Sequence, residues 1–356
     1  MDQSGNSSMQ VKRIIFLDYL RIFAFLSVLI GHKFYEHAVS FVSNESAHST
    51  PRLIVELLLP LFQGGGAGVV VFFLVSGYII TFVLQTEQPT EFIIKRIFRI
   101  YPLYITAVLL QAIMQSLSSG ELPELSIIIP QLLLIGDLFG TPYTLGGIEW
   151  TLRLEVLFYA FMIVLRYVGL LHEYKRYFPQ LLIITCLTLW GLSPIPSFDI
   201  WSKGYVTIYG PFLLLGSVFF LKEAKQVGSW FLVGAAALVL AQYYYLIGVY
   251  QPNWIGAHFA TLSVLIFFLS WVYRSAFSIT PFVLLLSNLT YSVYIFHNWA
   301  WAPIKAVFHK LSIAILHPDI QVLFALFLLC FLMLKIVEKP GIRLGKSMIL
   351  RIKKRA

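Results

Sequence analysis

Six ionisable residues interrupt apolar stretches of this sequence: Asp18, Arg21, His32, Arg153, Glu155 and His297. In a hydrocarbon setting each such group costs at least ~2.5–3.5 kcal/mol to insert, so each is a functional candidate until a partner explains it. In "LDYLRIFAFLSVLIGH", Arg21 and His32 are eleven residues apart, three turns plus ~20° of a helix. They share a face, with His32 ~16 Å further along the axis. Asp18 precedes Arg21 at the i,i+3 spacing of a helical ion pair. An imidazole with an unperturbed pKa near 6.5 suits a general base. The same residues also suit a structural arrangement, an Asp18–Arg21 pair with His32 at an interface.

In "EWTLRLEVLFY", Arg153 and Glu155 are two residues apart, so they face different ways and need different partners. In "SNLTYSVYIFHNW", His297 is flanked by Phe296 and Trp299, a setting also typical of an interfacial histidine. Taken together, three helices bring two imidazoles, a carboxylate and a guanidinium to one depth, and that coincidence weighs more than any one residue. In "EFIIKRIFRIYP", Arg96 and Arg99 stand at i,i+3 with Lys95 beside them. Arginine suits bidentate phosphate contacts, although basic residues here also satisfy the positive-inside rule. In "GGGAGVVVFFLVSGYII", Gly64, Gly65, Gly66 and Gly68 form a flexible entry, and Ser76-Gly77 lies deeper. Small residues at such positions permit close helix packing. A phosphate-binding glycine loop is not expected, since no strand precedes it.

The elements that must hold these groups are apolar helices. The chain of 356 residues is 58% hydrophobic and 12% charged, with mean hydropathy +0.80. A soluble domain carries about 25% charged residues. Apolar runs near the ~20 residues needed to cross a bilayer recur throughout. They predict an all-α polytopic membrane protein of about ten spans: 14–31, 66–84, 100–118, 151–170, 179–192, 205–221, 230–250, 254–273, 282–302 and 320–337. Residues 53–62 and 126–139 read as interfacial or re-entrant pieces. The whole chain, 1–356, reads as one domain, a helical core over 10–338 followed by a basic tail over 339–356.

Placing both termini in the cytoplasm puts nineteen of the 26 Lys and Arg residues inside, five outside and two, Arg21 and Arg153, within spans, as the positive-inside rule requires. Lys12 and Arg13 before an apolar run suggest a signal peptide, but Asp18 and Arg21 interrupt that run, so it is expected to remain as a helix. Cys186 and Cys330 sit in apolar runs as small buried hydrophobes. No metal site is expected. The net charge of +9 is concentrated near the C-terminus, where anionic lipid headgroups are the expected partner and nucleic acid is not.

In this order, these segments resemble the acyltransferase-3 family of integral membrane O-acyltransferases. Arg21 and His32 reproduce its Arg-x10-His pattern behind Leu17-Asp18. Gly68 through Ser76-Gly77-Tyr78 is similar to its second-helix motif, and Arg96-x-x-Arg99-Ile100-Tyr101-Pro102 to its RxxR segment. Trp150 through Glu155 and Tyr159, Ser287 through Tyr291-Ser292-x-Tyr294 and His297, and Glu338-Lys339-Pro340 resemble later motifs. The resemblance covers nearly the whole chain. It implies transfer of an acyl group, usually acetyl from acetyl-CoA, to a hydroxyl of a surface or exported glycan or glycolipid at a bacterial cytoplasmic (inner) membrane.

On that basis Lys95, Arg96 and Arg99 would meet the coenzyme A phosphates, with Ser76 also on the donor side. His32 would be the general base, and Arg21 would stabilise the thioester oxygen or hold the acyl arm. Glu155 would orient His32 or the acceptor, and His297 would be the alternative base. A covalent step through Ser76 or His32 stays open. Buried His, Glu and Arg also build proton relays, so a proton-coupled transporter is the competing class, with a non-enzymatic scaffold or sensor behind it.

Overall fold

The computed structural model describes residues 13–173, 175–197, 202–254, 257–313 and 315–355. Lys12 and the first residues of the expected core, residues 255–256 of the expected eighth span, and Ala356 lie outside them. Among the described residues the secondary structure is helical throughout. Among the described residues, six helical stretches are long and apolar enough to cross a membrane, which makes this an integral membrane protein.

The centre of the bundle is α4 (Gly66–Leu84), apolar on every side and largely buried, as expected of a helix surrounded by others. Packed around it are α1 (Ile15–Lys33), α7 (Glu149–Tyr167), α9 (Tyr205–Glu223) and α11 (Phe259–Val272). Glycine decides how close α4 and α9 come. A Cβ on Gly77 would stand 1.9 Å from the Leu213 carbonyl oxygen, and one on Gly216 would stand 2.2 Å from that of Leu74. The two backbones therefore touch at reciprocal points, as small residues allow between membrane helices.

The expected interfacial segment 53–62 is part of α3 (Ser49–Phe62), which pairs with α2 (Tyr35–Ser43) between α1 and α4. The expected third span is the second half of a longer helix, α5 (Pro89–Ser119). Lys95, Arg96 and Arg99 thus lie on the same continuous helix as that span, through Pro102. The short helix α6 (Leu125–Leu132) follows in the second expected re-entrant piece.

On the periphery α8 (Phe178–Gly191) and α10 (Ser229–Tyr250) pack against α9. The expected ninth span is shorter than 282–302. Helix α12 (Pro281–Phe296) stops before His297, a turn covers 297–300, and α13 (Trp301–Lys310) starts anew. Asn298 anchors that turn, accepting from Lys33 Nζ at 2.8 Å and donating to the Gly146 carbonyl at 2.7 Å. The expected tail is also ordered differently. After α14 (Pro318–Met333), a π-helical turn at Leu334–Glu338 leads directly into α15 (Lys339–Arg355), which lies along α5. Such π turns re-aim side chains within a helix, and here the turn carries the buried Glu338.

Candidate functional site

A cavity of about 400 Å³ runs between α1, α4, α5, α7 and α12. Its α1 wall is one helical face, from Leu17 and Asp18 through Arg21, Ala24 and Phe25 to Val28, with Arg13 just ahead of the helix. From Leu17 to Val28, eleven residues of helix rise ~16 Å, so the cavity is long. His32 comes next on that face, one turn beyond Val28.

One end is basic. Four arginines line the cavity, Arg13, Arg21, Arg96 and Arg99, against two carboxylates, Asp18 and Glu155. Arg13 holds Asp18 with two contacts, Nε–Oδ2 at 2.5 Å and Nη2–Oδ1 at 2.9 Å. Asp18 also accepts from Ser287 Oγ at 2.7 Å. Arg21 touches Asp18 through one nitrogen at 3.4 Å, a weak contact that leaves most of its guanidinium edge toward the cavity. Arg99 lies 2.6 Å from Glu338, whose other oxygen accepts from Ser292 at 3.0 Å. Arg96 is wedged between the Phe92 and Tyr159 rings, and its buried Nε has no hydrogen-bond partner. The Arg96 guanidinium thus lines the cavity with part of its hydrogen-bonding capacity unused, and guanidinium groups form charge-assisted contacts with anions.

Midway, Glu155 Oε1 accepts from Ser76 Oγ at 2.9 Å and from the Tyr159 hydroxyl. Glu155 is therefore engaged with α4 and its own helix, and the structure does not bring it to His32. Because α4 runs antiparallel to α1, with Gly68 against Ala24, Ser76 lies two turns below the cavity's far end, near the level of Asp18 and Arg21.

The far end is roofed by Phe72 and Tyr294, stacked at 6.2 Å between centroids and 5° from parallel. The Tyr294 hydroxyl meets Thr151 Oγ1 at 2.5 Å. Beyond the roof stand the two histidines. His297 Nδ1 lies 2.7 Å from the Tyr294 carbonyl, and His297 Nε2 lies 3.0 Å from His32 Nδ1. A carbonyl only accepts, so in neutral rings His297 carries its proton on Nδ1 and accepts at Nε2. His32 must then be protonated on Nδ1, which assigns a lone pair to His32 Nε2 from the hydrogen-bond network. His297 is buried at 1% exposure, whereas His32 is exposed.

The other two expected site residues are placed apart. Arg153 is held by Asp137 at 2.5 Å and by the Leu134 carbonyl at 2.7 Å, which fixes the segment between α6 and α7. Lys95 is outside the cavity lining, paired with Glu87 at 2.6 Å and Glu91 at 2.9 Å. Sequence reasoning gave no role to Phe72, Arg13 or Glu338. Phe72 is one aromatic among many. Arg13 counted only toward orientation, although its five-residue spacing to Asp18 brings both to one point. Glu338 had a motif but no partner in view.

Compared with known families, the chain matches a model described as an acyltransferase domain over residues 14–343. No curated protein and no solved structure matches it.

Proposed function

This chain belongs to the acyltransferase-3 family and is a membrane acyltransferase, and on that premise we propose that it moves an acetyl group from cytoplasmic acetyl-CoA to a hydroxyl of an exported or surface glycan. The observation that carries this reading is a single cavity, four arginines at one end, that stops one turn short of an exposed histidine. In this reading the arginine end faces the cytoplasm, ten helices span the inner membrane and both termini lie inside.

Coenzyme A phosphates settle against Arg96 and Arg99, with the acyl arm extended past Arg21 and Ser76 toward the roof. Arginine supplies charge-assisted hydrogen bonds of the kind phosphate favours. Arg21 is ~16 Å from His32 along the helix, too far to share one carbonyl with it, so Arg21 holds the arm. His32 Nε2 takes the proton of the acceptor hydroxyl as the oxygen attacks the thioester carbon. The C–S bond breaks, and the imidazolium returns its proton to the leaving thiolate. His297 keeps His32 in the tautomer that leaves Nε2 basic. Thr151 gives its proton to the Ile148 carbonyl at 2.9 Å, so the Tyr294 hydroxyl, on turning away from Thr151, is the roof donor that would meet charge on the thioester oxygen.

The experiment is thiol release from acetyl-CoA by the purified protein in nanodiscs, together with mass analysis of surface glycans with and without it. Absence of both donor turnover and a glycan acetyl difference would reject the reading. Orientation is read separately, with a reporter after Ala356 expected inside and one near Glu121 expected outside.

A further inference from the structure

Four aromatic rings stand in a row between the long cavity and the exposed edge of His32. Phe72 stacks on Tyr294 at 6.2 Å between centroids, Tyr294 lies 5.8 Å from the His297 ring, and His297 lies 5.1 Å from the His32 ring. The row passes from α4 across the end of α12 to the end of α1. Phe72 and Tyr294 line the cavity, whereas neither histidine is among the described residues that do. The first two rings therefore stand between the place where a thioester arrives and the base that must serve it.

The two rings are held differently. Tyr294 is tied at both ends, its hydroxyl to Thr151 Oγ1 at 2.5 Å and its carbonyl to His297 Nδ1 at 2.7 Å. Phe72 has no polar atom to tether it. It is half-buried, while its chain neighbours Val71 and Phe73 are fully buried. Phe73 is packed against Trp150 at 6.0 Å and Tyr209 at 6.4 Å, so the freedom in this part of α4 belongs to Phe72. One rotamer change there breaks the stack and leaves the hydrogen bonds of the two histidines in place, and such side-chain flips are faster than any lid or domain motion.

Water and an acceptor hydroxyl offer the same O–H group to His32, and His32 is exposed. A thioester open to that side would be hydrolysed by the very base that serves transfer, and exclusion of water is how closed sites suppress such side reactions. We propose that Phe72 is a specificity-determining residue: its ring, laid on Tyr294, seals the acyl thioester from water until an acceptor covers His32. Once the acceptor is seated it takes over the exclusion of water, so the ring swings aside without a leak. Removing the ring opens a defined side reaction. The water oxygen attacks the thioester carbon, the C–S bond breaks, His32 carries the water proton to the leaving thiolate, and acetic acid and the coenzyme A thiol are released. This assignment rests on the acyl-transfer reading above, because it needs the thioester on the cavity side and His32 as the base.

The test uses the full chain in nanodiscs at saturating acetyl-CoA with no acceptor added. It reads thiol release together with entry of oxygen from isotope-labelled water into acetate. Phe72→Ala is expected to release thiol about tenfold faster than the parent or more, with labelled acetate, once water is admitted. Phe72→Leu should leak less, and Phe72→Tyr, which keeps a stacking ring, should stay near the parent. Adding His32→Gln to Phe72→Ala should remove the gained hydrolysis. In cells, Phe72→Ala should place no more acetyl groups on surface glycans than the parent does. The proposal is overturned if Phe72→Ala and Phe72→Leu, melting as the parent does, hydrolyse acetyl-CoA at the parental rate, or if the gained hydrolysis persists without His32. A parent that acetylates glycans beside variants that do not leak would reject the seal alone. No donor turnover by parent or variants, with glycan acetylation independent of the protein, would reject the acyl-transfer reading and the seal with it.

Discussion

His297 Nε2 sits 3.0 Å from His32 Nδ1, and His297 Nδ1 is itself anchored 2.7 Å from the Tyr294 carbonyl. That chain of two rings and one carbonyl runs from the turn after α12 to the end of α1. It gives the exposed histidine a buried partner that selects its tautomer, the task a second group performs for many catalytic histidines. Removing the base itself should lower transfer by about 10²–10⁴-fold. His32→Ala and His32→Gln should therefore nearly abolish transfer with donor binding intact, since an amide takes no proton at neutral pH. His297→Gln, which can still accept from His32, should retain more turnover than His297→Leu. In the parent, transfer should fall as pH drops, because a protonated His32 cannot accept the acceptor's proton. A His32→Ala variant that keeps above about a tenth of parental turnover would remove His32 from the role of base.

At the arginine end, Arg96 and Lys95 should separate cleanly despite being adjacent. Arg96 lines the cavity with a buried, unpartnered Nε, whereas Lys95 is spent on Glu87 and Glu91. Losing a charged hydrogen bond costs about 1.5–3 kcal/mol. Arg96→Ala should raise the KM for acetyl-CoA roughly ten- to hundredfold, and Lys95→Ala should change it little. Arg99→Ala should raise KM and also lower the melting temperature, because it strands the buried Glu338. Equal donor KM values for parent and Arg96→Ala would reduce this end of the cavity to a topology signal.

Ser76 is the test of a covalent route. Its hydroxyl donates to Glu155 at 2.9 Å, one helical turn below the roof residue Phe72. One neutral hydrogen bond is worth about 0.5–1.5 kcal/mol. Ser76→Ala should shift the donor KM by no more than about tenfold and leave kcat within about twofold. A loss of turnover near that of His32→Ala, with an acetylated Ser76 peptide in the parent, would show that the acyl group passes through this oxygen.

The bundle itself depends on the contact between α4 and α9. Overpacking a filled core typically costs about 1–3 kcal/mol, and at Gly77 the added carbon meets backbone, which has little room to yield. Gly77→Ala and Gly216→Ala should each lower the melting temperature of the protein in detergent. Alanine variants as stable as the parent would mean that the two helices separate without loss.

The sequence by itself determined what local geometry determines. The 3.6-residue period placed Arg21 and His32 on one face of α1, and the structure lines the cavity with that face from Leu17 to Val28. Hydropathy located the apolar helices because burial of backbone polar groups in lipid demands unbroken helix. It also singled out Asp18, Glu155 and His297 as costly groups that needed partners. Which partners they took was decided only by tertiary packing. His32 and His297 are 265 residues apart in the chain. Nothing in either helix's periodicity says that α1 and α12 are neighbours, or that α12 ends before His297. Glu155, expected to orient His32 or the acceptor, was drawn to Ser76, and Arg153 to Asp137, because a buried charge settles on the nearest polar group that packing presents. Packing depends on where backbones can touch, as at Gly77 and Gly216, and such contacts leave no period in a single sequence. The face each group occupies on its own helix was therefore legible in the chain, and its company was not.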